Sequence, residues 1–373
     1  MNKELFTKLK NYRELWFLGK QKPKELFTCW YINTEIMSSI ISIEKLSFPW
    51  QTQDPFLFCA FHDDHYPKGN GKLGPVDSLS GRQIGSDFSG KDGWSMYHGQ
   101  EVPGFPSHPH KGFETITIAE KGLVDHSDSL GAAGRFGNGD VQWMTAGGGV
   151  QHSEMFPLLK EDEENPLLLF QIWLNLPKAS KHVPAHFAML WNEDIPIYKH
   201  TDGEGNTTSV KVISGKLGEI VSPSPAPDSF AANADNDVAV WLIEMEGNAQ
   251  WELPLADKAS NRSLYLYEGD GVLIDGQEFP KGYMTKLAAN EATRLVNGDS
   301  TAKFLFLQGK PIGEPVAQYG PFVMNTNAEI QEAMMQFQRT QFGGWPWPSS
   351  SHTHDPARGR FALHADGREE IKD

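Results

Sequence analysis

"GFPSHPHKGFETITI", residues 104–118, reads as a β-strand that carries His108 and His110 one residue apart and Glu114 four residues further on. Side chains on a strand alternate between its faces with a period of two, so His108, His110 and Glu114 are expected on one face, followed by Ile116 and Ile118. Thr115 and Thr117 then point the other way. If the even-numbered face lines a barrel, two imidazoles and a carboxylate stand at its mouth above an apolar plug. First-row metals take such nitrogen and oxygen donors, with an apolar wall limiting solvent access.

A second pair occurs in "GGGVQHSEMF", where His152 and Glu154 again lie two apart and share a face. The preceding Gly147, Gly148 and Gly149 permit a tight turn or a close backbone approach, which returns this strand to the side of the first. Three histidines and one glutamate then converge, leaving up to two positions of an octahedral shell open. An HxH pair alone is a weak sign, because it also occurs on solvated strand faces. The tail repeats it in "SSSHTHDP", where His352 and His354 sit without any strand pattern and read as surface. From the residues alone, a metal site and a chance pairing both stay open. His126 reads as structural, or as support behind the ligands.

Around these segments the chain of 373 residues is long enough for about two domains. Its 39% apolar and 11% aromatic content is that of a globular protein, and no run approaches the roughly 18 apolar residues of a membrane span. The two cysteines, Cys29 and Cys59, are too few for a disulfide framework, so both are expected to be reduced and the location cytoplasmic. A formal charge of −15 repels phosphate backbones and argues against direct nucleic-acid binding.

From about residue 38, short apolar runs separated by Gly, Pro, Asn and Asp are spaced as in an all-β sandwich or barrel. "PLLLFQIWLNLP" is apolar enough to be buried on both faces. The glycine- and serine-rich loop 66–94 reads either as a lid or as surface. Thr326 and Glu329 form a capping box for a helix with Ile330, Met334 and Phe337 on one face and Gly343 and Gly344 as its stop. The expected organisation is an N-terminal extension 1–36, with Met37 as an alternative start, then a metal-bearing barrel 37–177 and a metal-free barrel 178–310. A helical segment 311–344 packs back on the barrels, and 345–373 is a flexible tail.

"HPHKGFETITI", "DHSDSLG", "GDVQWMTAGGGVQHSEM" and "PIGEPVAQYGPFVMNT", in order across about residues 38–340, resemble the signature segments of the pirin family of the cupin superfamily. The resemblance implies a bicupin, two β-barrels face to face, with iron(II) in the first barrel only. Its ligands fall on His108, His110, His152 and Glu154, with Glu114 matching the ligand that other cupins use. The resemblance also implies two roles. One is quercetin 2,3-dioxygenase chemistry on a flavonol and dioxygen, with Glu154 as the catalytic base. The other is metal-dependent regulation of a transcription factor or metabolic enzyme as a protein partner.

Overall fold

The computed structural model describes residues 38–372. The expected extension 1–36, the Met37 start and Cys29 lie outside the described residues.

Strand Asn165–Asn175 shows why the fold takes its form. It pairs antiparallel with Phe56–Tyr66 on one side and Phe113–Lys121 on the other. On its odd-numbered face, Leu167 and Leu169 enter the core of the first barrel, and Gln171 and Trp173 line a cavity. Leu168, Phe170, Ile172 and Leu174 on the even face enter a second core, shared with Val240, Leu242, Tyr265, Leu305 and Leu307 of the other barrel. Burial on both faces explains the apolar run, broken only by Gln171, as expected. Full burial of a large apolar side chain contributes about 1.5–3 kcal/mol, so this seam is a main source of stability. Trp50 stacks on Tyr265 across it, with ring centroids 5.5 Å apart.

The protein is a bicupin. Among the described residues, the first barrel joins two six-stranded sheets and the second a seven-stranded and a four-stranded sheet. Strand pairing crosses the division expected at 177/178. Ile40–Lys45, inside the span expected for the first barrel, pairs with Tyr283–Leu287 of the second. His186–Leu190, beyond the division, pairs with Asp140–Thr145 of the first. Each barrel thus closes an edge of its neighbour's sheet system, where unpaired backbone would otherwise be exposed.

The helix forms at Asn327–Thr340 with both hydrogen bonds of the capping box present. Its Ile330 and Ala333 pack with Phe322, Met324 and Phe342. The flexible-tail expectation is corrected. Phe361–Leu363 pairs with Ala133–Gly137, adding a strand to the sheet that carries the histidines. The buried Arg135 guanidinium binds Asp125 and donates to the carbonyls of His354, Asp355 and Arg358. A proline- and serine-rich composition concealed this docking because the anchor lies more than 200 residues upstream.

Candidate metal centre

His108 and His110 lie on strand Gly104–His110, and His152 and Glu154 on Val150–Met155. The two strands are antiparallel with His108 directly opposite His152, after a bulge that shifts register between Phe105 and His108. The glycine turn makes this possible. Gly149 has φ 123°, and a Cβ there would lie 2.5 Å from the Phe342 ring, so only glycine lets the helix-end segment close against this strand pair.

The three imidazoles meet. Each offers a ligand atom within 4.8 Å of the others. His108 Nε2 and His110 Nε2 face one another at 3.1 Å, and His108 Nδ1 lies 2.9 Å from the Pro106 carbonyl. That carbonyl requires a proton on Nδ1, which leaves the Nε2 lone pair of His108 aimed into the cluster. Both ring nitrogens of His152 are buried without a hydrogen-bond partner. Burial pushes His108 down to about 4 and holds His110 and His152 well below the ordinary imidazole range, reinforced by the neighbouring histidines. Three neutral nitrogen donors therefore converge on a dry wall. Buried polar atoms without partners call for an explanation, and a divalent cation fits this donor set. The cluster has the donor set of a metal site.

Glu154 stands beside this triad. Its Oε2 is 3.7 Å from His152 Nε2. Oε1 is 3.0 Å from the Thr117 hydroxyl, and Oε2 accepts from Gln171 Nε2 at 2.8 Å. The Thr117 hydroxyl also contacts Gln171 Oε1. Burial raises the Glu154 carboxyl, against the opposing pull of His126, Thr117 and Gln171. Thr117 and Gln171 were not singled out from the sequence; strand alternation next to Glu114 marks Thr117, but only pairing across strands places it against Glu154. His126 is fully buried behind the triad, its ring 5.5 Å from that of His152 and its Nε2 3.4 Å from Asp128.

Glu114 is elsewhere, and the face assignment of the opening segment is corrected. The strand ends at His110 and a new one begins at Phe113 in the other sheet. Between them Gly112 adopts φ 86°, where a Cβ would lie 2.0 Å from the Val323 carbonyl oxygen. The turn resets the alternation, so Glu114, Ile116 and Ile118 face the second barrel, and Thr117 faces the site. Glu114 accepts from Trp143 Nε1, Thr145, Ser229 and the Phe230 N–H, pinning a second-barrel loop to the first. His354 is also not a surface residue. Its Nε2 lies 2.9 Å from the His126 carbonyl, so the tail histidine braces the wall behind the site.

His108, His110 and Glu154 open on a cavity of about 410 Å³ walled by Phe48, Phe58, Phe88, Phe105, Phe156 and Trp173, with His152 buried behind them. This volume lies within the range of small-molecule pockets. The loop 66–94 is packed rather than loose. Arg82 is buried, paired with Asp87 at 3.0 Å and stacked 3.3 Å over Trp94, and Phe88 reaches the cavity mouth.

The pirin family model matches residues 50–174, and the pirin C-terminal cupin domain matches 240–343. The chain belongs to the pirin family. It is 34% identical over 244 residues to a Pseudomonas aeruginosa protein named "Putative quercetin 2,3-dioxygenase", covering 65% of this chain and 80% of that one. It is 34% identical over 255 residues to mouse pirin, covering 66% and 80%. A crystal structure titled quercetin 2,3-dioxygenase from Acinetobacter baumannii superposes with a TM-score of 0.65 at 28% identity, over 83% of this chain and 99% of that one. Within this pirin-family chain the matched N-terminal segment holds all of His108, His110, His152 and Glu154. Among the described residues, no helix is long and apolar enough to cross a membrane.

Proposed function

We propose that this protein is a metal-dependent dioxygenase of the quercetin 2,3-dioxygenase type, using iron(II) held by His108, His110, His152 and Glu154. The observation that carries the reading is the triad of neutral imidazoles, two of which, His108 and His110, stand on the wall of an aromatic cavity. Names borne by relatives in Pseudomonas and Acinetobacter support the same chemistry. When bound, the metal supplies a Lewis acid that lowers the pKa of a coordinated hydroxyl and a centre at which dioxygen reacts.

The chain's own residues do the rest. The aromatic walls stack a flat polyphenol and exclude water. Glu154 stands where it can take the proton of a hydroxyl held beside His152, and Gln171 and Thr117 orient its carboxylate. Phe105, His98 and Phe88 complete the lining.

The test is aerobic incubation of iron-loaded protein with quercetin, following loss of its visible absorbance alongside elemental analysis. Turnover that is absent in Glu154→Ala is expected. Full metal occupancy without turnover overturns the enzyme reading and returns the role of regulatory protein partner.

A further inference from the structure

The cavity wall carries a second polar group that the metal does not use. Alternation along Phe56–Tyr66 puts Phe58, Ala60 and His62 on the cavity, and Asp64 one step further on the same face. His62 Nδ1 lies 2.8 Å from the Tyr97 hydroxyl, and that hydroxyl donates to Asp64 Oδ2 at 2.7 Å. Asp64 Oδ1 in turn accepts the Ser95 N–H at 2.9 Å. Tyr97 comes from the loop side of the site and holds φ 56°, a region unusual for a bulky residue. Two backbone hydrogen bonds to Asp87, both 2.8 Å, fix it there. Strain of this kind, of order 1–3 kcal/mol, persists only where the surroundings over-determine it, and here it sets the hydroxyl between histidine and aspartate.

Counting protons fixes the direction of each bond. With Asp64 ionised, Tyr97 gives its single proton to Asp64 and accepts from His62 Nδ1–H. His62 Nε2 is then a bare lone pair, and among the described residues it has no protein partner. With Asp64 protonated, the bonds reverse and Nε2 carries a proton.

We propose that His62, Tyr97 and Asp64 form a proton relay that takes the proton of a phenolic or enolic hydroxyl bound in this cavity, resting on the dioxygenase reading only for the class of substrate. The substrate O–H breaks as Nε2–H forms. The Nδ1 proton passes to the Tyr97 oxygen, and the proton Tyr97 held passes to Asp64 Oδ2. The substrate becomes an anion, Asp64 becomes neutral, and His62 changes tautomer without becoming charged. No oxidant or further reactant enters. His62 alone touches the substrate; Tyr97 and Asp64 are positioning residues.

The relay answers an electrostatic difficulty. Burial pushes His62 down to about 4, so an imidazolium would not persist near neutral pH. Burial pushes Asp64 up to about 6, partly offset by Tyr97 and the Ser95 N–H, so the proton has a resting place at a group poised near the working pH. Asp63 and His65, exposed on the same strand, oppose one another in their effect on Asp64. From the loop, Asp87 is paired with Arg82, and Phe48 and Phe105 cover the His62 ring with apolar surface.

The test uses the full chain stripped of metal and titrated with 4-nitrophenol, whose phenolate is yellow and whose phenol is not. Bound probe is expected to ionise at least about one pH unit below free probe, a tenfold shift. In Tyr97→Phe and Asp64→Asn the probe should still bind and its ionisation return to the free value. Circular dichroism melting confirms that the variants are folded, and His62→Gln, which keeps the shape of the wall, provides a third. Wild-type protein that fails to bind or shift the probe overturns the relay, as does an equal shift in Tyr97→Phe. Because no metal is present, failure of quercetin turnover with a preserved phenolate shift would remove the dioxygenase reading alone.

Discussion

In the first barrel, strands from both sheets turn His62, Gln171, His108, His110 and Glu154 towards a cavity, with His152 and Thr117 buried behind it. In the second, strands of the same style turn Val210, Val212, Trp241, Ile243, Phe304 and Phe306 inward, and these pack against Trp251, Leu253 and Leu295. Trp241 stacks on Phe306 at 4.8 Å within that packing. The architecture tolerates either filling, because the sheets are held by backbone pairing and by the seam between the barrels. One barrel carries the candidate site, and the other encloses an apolar core. Fold and function are thus written in different residues of one architecture.

The contrast breaks first at the metal. His108→Ala is expected to abolish metal retention and quercetin turnover, measured by elemental analysis and by absorbance, with the fold retained. Phe304→Ala in the second barrel should do the reverse. It should cost about 3–5 kcal/mol in denaturant unfolding through the cavity it leaves, with metal stoichiometry unchanged below the transition.

The seam between the barrels gives a smaller, pH-dependent effect. Burial pushes Glu114 up to about 7, against the pull of its four hydrogen-bond donors. The folded state then keeps a proton that the unfolded state releases above about 4.5, so this group's contribution is full below that pH and declines as pH rises towards 7. Relative to Glu114→Gln, the natural chain is expected to lose about 2–3 kcal/mol across this window, read from urea unfolding at a series of pH values. The smallest effect sharpens the contrast from the other side. His152→Leu removes two buried nitrogens without partners and should raise the stability of metal-free protein by about 1 kcal/mol while eliminating metal binding.

Much of the fold was legible in the chain. Turn residues between short apolar runs mark the strands, the Thr326 and Glu329 capping box marks the helix, and the doubly apolar "PLLLFQIWLNLP" marks a strand between two cores. Of the site, the pairs His108/His110 and His152/Glu154 were legible because a spacing of two on a strand gives a shared face. Glu114 was misplaced because Gly112 resets that alternation, an event invisible to a rule that assumes one continuous strand. The tail was misread for a different reason. Its composition is that of a solvated segment, and its order comes from Arg135 and Asp125 on distant strands.

By itself the sequence determined local periodicity, and with it which histidines could act together and which runs had to be buried. Tertiary structure alone decided which face met which neighbour: that His152 stands opposite His108, that Glu114 looks into the seam, and that Tyr97 bridges His62 and Asp64. The reason is geometric. A period of two places side chains relative to their own strand, while the meeting of strands depends on register, bulges and turns set by contacts between residues far apart in the chain.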